Sequence, residues 1–458
     1  MSSVIDSHRL RRGTDSVLAA QHVEQALWRM MSFYDTPLAD LDAACAADPG
    51  WLLPPVMKAG FLLSLTEPAL VPQAREALDV AAALERQAPA HERAHLAATR
   101  LVLQGQWHQA CQVWDELLLV QPRDALALQW AGLWDFYRGD AFHLRQRPAR
   151  ALPHWDESDP LYPYVLALHA FGLEENHLYP QAEEAGRRAT EPGAWGQARV
   201  PWAVHAVAHA MEMQGRFEAG ATWLRQHQRD WAEGNGFAQH LWWHLGLFRL
   251  ENLDTTGVLR LVDNRLSGAA LQATLQRLDA ASLLWRLHLL GVEVGERWSQ
   301  LLQGFDLAEA HAGYYAFNDA HAVLAMVGAG DLARAEGWLA RCAQSSLQDS
   351  SPRRANHAMA RDVGLPLMRA LIAFGRGDFN TVVTTLYPLR PLAQRLGGSH
   401  AQREVIDLTL IAAAGRVRGS ALHHAMGQAV LDERVMARTA TPLSRRYGEQ
   451  LGTQRVAA

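Results

Sequence analysis

Two histidine pairs with the same internal spacing carry the strongest chemical signal in this chain: His205 and His209 in VPWAVHAVAHAMEMQGRF, and His240 and His244 in GFAQHLWWHLGLF. Within each pair the spacing is H-x3-H, which on a helix places both imidazoles on one face, about one turn apart. The second pair repeats the first at an offset of 35 residues. Imidazoles with an ordinary pKa of about 6.5 suit proton transfer near neutral pH and, when neutral, ligation of a divalent metal. Glu212, three residues beyond His209, adds a carboxylate to the same face. Three readings stay open at this point. The histidines can hydrogen-bond between packed helices. They can line a polar pocket with Trp202 and Trp243 that contacts an organic acid or amine. Or His205, His209, His240, His244 and Glu212 can ligate a divalent metal, the four histidines being equally the candidate catalytic acid–base groups. The zincin motif HExxH is absent, because Ala206 follows His205 and Leu241 follows His240.

Other polar residues extend the candidate ligand-binding set. Arg286 in LLWRLHLLG and Arg297 in GERW sit beside Trp285 and Trp298 in apolar surroundings. A guanidinium there needs a partner, either a carboxylate such as Asp279 or an anionic ligand. Asp319 and His321 in FNDAHA and Arg403 in GGSHAQR stand near the starts of later helices. Against a ligand role, Asp319, Asp362 and Ser399 occupy positions where an N-cap belongs, and Ser399-x-x-Gln402 reads as a capping box. The sequence contains no GxSxG elbow, Gly-rich phosphate loop or CxxC pair.

The elements that must position these residues are helical hairpins. In LVLQGQWHQACQVWDELLLVQPRDALALQWAGLWDFYRGD, Gly105 and Gly139 are 34 residues apart, the tetratricopeptide period. Gly105 as a turn puts Ala98 on one helix, Ala110 and Trp114 on the next, and Pro122 at the closing turn. Gly215, Gly330 and Gly377 head similar units, while FGLEENHLYPQAEEAGRRA and LENLDTTGVLRLVD look like variants without the turn glycine. No sustained period-2 alternation suggests strands. The expected fold is all-α, a curled solenoid of about eight to ten hairpins. Most of the tryptophans fall at helical spacing and read as core, with Trp202, Trp242 and Trp243 as candidate pocket walls.

At 458 residues, 49% hydrophobic and 20% charged, the chain can build a large core but exceeds the usual size of one. Residues 1–19 read as a flexible tail, 20–150 as N-terminal helical repeats, 151–415 as tetratricopeptide-like repeats carrying the His/Trp-lined groove, and 416–458 as a C-terminal helical segment and tail. RPARALPHWDESDPLYP reads as an irregular link and CAQSSLQDSSPRRANH as a long loop. A net charge of −5 without a long basic run argues against nucleic acid as a partner. No apolar run is long enough to span a membrane, HRLRRG lacks the apolar segment of a signal peptide, and Cys45, Cys111 and Cys342 form no disulfide framework. The expected compartment is the cytoplasm.

Several long stretches carry a family resemblance: DALALQWAGLWDFYRGD, FGLEENHLYPQAEEA, WAVHAVAHAMEM, HLWWHLGLF, GVEVGERW, FNDAHAVLAMVGA, ARDVGLPLMRAL and LGGSHAQREVIDLTLI. On these the chain resembles the tetratricopeptide repeat protein 38 family from about residue 20 to about residue 450. The resemblance implies an α-helical repeat fold and supplies no catalytic residues. Members of the family can carry Asn where this chain has His400, which argues against an essential role for that residue. The expectation from residues and resemblance together is recognition of a peptide, protein or small polar molecule in a His/Trp-lined concave groove. The alternative is a hydrolase- or lyase-type enzyme built on the histidine cluster.

Overall fold

A computed structural model describes residues 13–192, 199–348 and 354–452, and these are helical almost throughout. Among the described residues the only strand-like pairing is an isolated bridge between Tyr34 and Asn235. Two compact units are present. The first contains α1 (Val17–Ser32), α2 (Leu38–Ala47), α3 (Leu53–Ser64), α4 (Val71–Leu84), α5 (Ala90–Leu103), α6 (Trp107–Val120), α7 (Ala125–Tyr137), α8 (Ala141–Ala151), α9 (Tyr162–Glu174) and α10 (Tyr179–Thr190). The division falls between Val207 and Ala208, inside α11 (Pro201–Met213), and Arg229–Phe237 returns to the first unit. The second unit contains α12 (Phe217–Gln226), α13 (Ala238–Glu251), α14 (Thr255–Arg265), α15 (Thr274–Leu289), α16 (Arg297–Gln303), α17 (Ala316–Gly328), α18 (Leu332–Gln348), most of α19 (Ala355–Met359), α20 (Leu365–Gly375), α21 (Phe379–Leu389), α22 (His400–Ala414), α23 (Ala421–Ala437) and α24 (Pro442–Gln450).

One local device recurs between paired helices. A residue with positive φ closes the first helix at Gly105, Gly139, His177, Gly215, Leu253, Gly291, Gly330 and Gly377. The next residue's N–H reaches back five positions, as in Asp140 N to Asp135 O (2.8 Å), Arg216 N to Met211 O (2.8 Å) and Asp254 N to Arg249 O (3.1 Å). This is the Schellman arrangement. His177 and Leu253 adopt it without being glycine, which explains the two units that lack a turn glycine in sequence. Asp140, Asp254 and Asp378 then accept from the backbone three residues on and cap the second helix, so one dipeptide ends a helix and starts the next. Each such cap contributes about 1 kcal/mol.

From 139 to 291 these turns step by a constant 38 residues (139, 177, 215, 253, 291), longer than the 34 residues between the first two. The histidine offset of 35 is therefore three residues short of the local period. The second pair stands close to one helical turn further from its turn than the first does from Gly215.

Three local expectations change. Helix α1 starts at Val17 behind the N-cap Ser16, inside the stretch assigned to a tail, while residues 1–12 lie outside the described residues. Helix α18 runs to Gln348 through the first seven of the sixteen residues of the Ser-rich stretch, whose Ala, Leu and Gln residues favour helix, and residues 349–353 lie outside the described residues. Helix α8 continues through Pro148 to Ala151, so the irregular link is confined to a short 3-10 turn and the loop leading to Tyr162. Pro148 has no N–H to give Leu144 O. Gly172 of α9 packs on that carbonyl, where a Cβ would come within 2.3 Å.

In the second unit α15 packs against α13, α17 and α22, and α24 packs against α13. The faces of α13 and α15 that meet carry the candidate site.

Candidate metal centre

The face of α13 presents His240, Trp243 and His244, and α15 answers with Asp279, Ser282 and Arg286, spaced i, i+3, i+7 along one helical stripe. His240 Nδ1 lies 2.8 Å from Asp279 Oδ2, and Trp243 Nε1 donates to Ser282 Oγ at 2.9 Å. Each contact spans 39 residues, one more than the 38-residue step of the turns. His244 Nδ1 lies 2.9 Å from Glu212 Oε2 of α11. The Nε2 atoms of His240 and His244 face each other at 3.2 Å. His209 closes the group: its ring meets that of His244 edge-on at 4.4 Å, and one ring nitrogen from each of His209, His240 and His244 lies within 4.8 Å of the others.

The site is dry. His209, His244 and Trp243 are wholly buried, and His240 keeps a side-chain exposure of 12%. Burial raises the Glu212 carboxyl to about 7. It holds His244 well below the ordinary imidazole value, an effect reinforced by the neighbouring His209, His240 and Arg286.

The candidate residues thus divide into groups. His209, Glu212, His240, Trp243, His244 and Arg286 come together in the second unit. His321 on α17 is buried, with Nδ1 2.8 Å from Phe317 O; burial pushes its pKa down to about 4, and the charges of Asp279 and Arg286 act on it. Trp202 and His205 belong to the first unit, where the His205 ring packs against Phe171, Trp202 and Phe237. One turn of α11 separates His205 from His209.

Arg286 does not bond to Asp279. Its fork donates to Ser282 O at 3.1 Å and Ala401 O at 2.7 Å, over the Trp243 ring at 5.5 Å. Arg297 forms a two-pronged pair with Asp263 at 2.7 and 2.8 Å on the exposed flank of α14 and α16. Exposed pairs contribute about 0–1 kcal/mol. Replacing Arg297 with Met should therefore leave the thermal midpoint nearly unchanged in a calorimetric scan, and a large drop would show a further role.

Asp319 is no N-cap: it accepts from Gly313 N (3.3 Å) and Trp338 Nε1 (3.1 Å), and burial raises its pKa to about 7. Asp362 pairs with Arg361 and Arg395. Ser399 does cap α22, with the capping box to Gln402 formed. Gln402 also reaches Asp279 at 3.5 Å, and Arg403 donates to Gly398 O.

Ser282 was not among the sequence candidates, and Asp279 was named only as a partner for Arg286 rather than for His240; the signal for both was the stripe they share with Arg286. A scan against models of known protein families finds none that matches the chain. Among the described residues no helix is long and apolar enough to cross a membrane.

Proposed function

We propose that the second unit binds a divalent transition-metal ion on His209, His240 and His244, and that the protein is a metal-dependent enzyme of the hydrolase or lyase type. One observation carries this reading: the two Nε2 atoms face each other at 3.2 Å while each Nδ1 contacts a carboxylate. Metal-ligating histidines almost always give their other ring N–H to such a partner. Two imidazole nitrogens bound to one tetrahedral ion at about 2.0–2.1 Å stand roughly 3.3 Å apart. Asp279 and Glu212 would orient the rings, and imidazole ligands suit zinc and its neighbours. An ion of this type held there would supply Lewis-acid or water-activating chemistry.

A hydrogen-bonded chain is the competing account. A protonated Glu212 donates to His244 Nδ1, His244 Nε2–H to His240, and His240 Nδ1–H to Asp279. That chain uses the same distances, and metal analysis separates the two accounts. Recognition of a peptide or small polar molecule in an open groove is supported less, because Trp243, His209 and His244 are buried rather than displayed.

The repeated turn and its 38-residue step support a tetratricopeptide-like solenoid, and the quoted sequence stretches support membership of the tetratricopeptide repeat protein 38 family; both are part of the proposal. A cytoplasmic location, expected from the sequence, is likewise part of the proposal.

Elemental analysis of the purified protein tests the centre. The expected result is about one zinc-type ion per chain, with chelation lowering the thermal midpoint and zinc restoring it. Metal-free protein whose melt is insensitive to Zn²⁺, Co²⁺, Ni²⁺ and Mn²⁺ would falsify the proposal.

A further inference from the structure

The first unit holds a cavity of about 330 Å³ that takes no part in the proposed metal centre. One water occupies roughly 30 Å³ in the liquid, and close-packed interiors leave few voids much larger than that. Leu27 and Trp28 of α1, Leu53 at the start of α3 and Leu161 before α9 line the cavity and are only half-buried, so they present apolar surface to it. Met57 and Leu126, both buried, extend that wall. The indole N–H of Trp28 is committed to Tyr164 Oη at 3.0 Å, which leaves its ring as apolar surface. Glu24 and Pro160 of the same lining are exposed, so the cavity opens to solvent on their side.

The ionisable side chains on the wall already have partners. Asp159 accepts from Arg123 at 2.6 Å and from Leu161 N at 2.9 Å, and the Arg123 guanidinium lies over the Trp155 ring. Asp124 has Ala127 N at 2.9 Å on one oxygen and His95 Nε2 at 3.0 Å on the other. The second ring nitrogen of His95 accepts from Trp114 Nε1 at 3.2 Å. Glu92 Oε1 accepts from Trp51 Nε1 and Gly13 N, both at 2.8 Å, and Glu92 Oε2 is sealed from solvent. Glu24 and His91 each have a partner as well. A water in the cavity needs two to four polar partners, and these are engaged with one another. A charged ligand would lose its hydration and meet counter-charges that are already paired.

We propose that this cavity binds an uncharged, largely hydrocarbon molecule of about two fused rings, held by burial against Leu27, Trp28, Leu53 and Leu161 rather than by an ionic anchor. An apolar cavity of about 150 Å³ takes up benzene, so a space of this size suits a molecule of about twice that bulk. Its volume also falls at the small end of the ligand-pocket range of about 300–1,000 Å³. The inference does not rest on the metal centre, whose proposed ligands belong to the other unit.

Thermal shift and calorimetric titration of the full-length protein with four probes of one ring system test it: naphthalene, 1-naphthalenemethanol, the cation 1-naphthylmethylammonium and the anion 1-naphthoate. Naphthalene and the alcohol should bind saturably at about one molecule per chain, raise the melting point and show a negative heat-capacity change. The cation and the anion should bind at least about tenfold more weakly. Leu27→Trp puts an indole into the space without touching a charge and should abolish binding of the alcohol. Leu53→Phe, a smaller filling, should weaken it and carries the measurement if the Trp variant does not fold; the comparison of four probes on the wild-type protein needs neither variant. No binding of the alcohol at about 1 mM, a charged probe that binds as tightly as the alcohol, or undiminished affinity in a folded variant each overturns the proposal.

Discussion

Exchanging His240 and His244 together for Gln should reduce the bound metal from about one ion per chain to less than about a tenth, with the helical circular dichroism spectrum retained. Gln keeps hydrogen-bonding groups near Asp279 and Glu212, so the pairs across α11, α13 and α15 are softened rather than emptied. It removes the two Nε2 donors that stand 3.2 Å apart. Asp279→Asn acts differently, because it leaves every proposed ligand in place and alters only the group that orients His240. Loss of such an orienting partner typically costs about 10–100-fold in metal affinity. The graded pattern, loss in the double variant and weakening in the Asn variant, separates a metal centre from a hydrogen-bonded chain. A folded double variant that still carries its metal would place the ion elsewhere. Should the double variant fail to fold, His240→Gln alone carries the measurement, since His240 is the least buried of the three.

What the sequence revealed was what is written locally. The turn grammar lies in adjacent residues, as in Gly139-Asp140 and Gly377-Asp378, where one residue takes the left-handed conformation and the next caps a helix. His177 and Leu253 adopt the same turn against the usual steric preference, so a glycine count alone understated the regularity of the 38-residue step. The histidine pairs stood out for the same local reason. Of their carboxylate partners, Glu212 stood out with them, but Asp279 was read only as a partner for Arg286, because it is 39 residues from His240 and nothing in QRLDAAS marks its direction. Arg286 shows a second kind of silence. One of its partners is the backbone carbonyl of Ala401, 115 residues away, and a carbonyl has no sequence signature.

Arg286→Met should destabilise the protein by about 3–5 kcal/mol, the cost typical of breaking a buried charge network by removing one member. The side chain is 2% exposed, and burial lowers the pKa of its guanidinium despite the charges of Glu404 and Glu212 that help to hold it. Methionine restores the volume but supplies no donor. Ala401 O then loses its bond, and Glu404 is left to Arg434 and Arg438 alone. Lysine should rescue little, since a single ammonium cannot reproduce a fork that reaches Ser282 O and Ala401 O while lying over the Trp243 ring. Denaturant unfolding of wild type, Arg286→Met, Arg286→Lys and Arg297→Met measures this directly, with the exposed Arg297 as the internal reference. The two arginines looked alike beside their tryptophans in sequence, yet one joins α15 to α22 from the interior and the other pairs with Asp263 in solvent. If Arg286→Met unfolds with the wild-type midpoint, the guanidinium is not a structural member of the network, and its place over Trp243 beside His244 would have to be explained by a ligand.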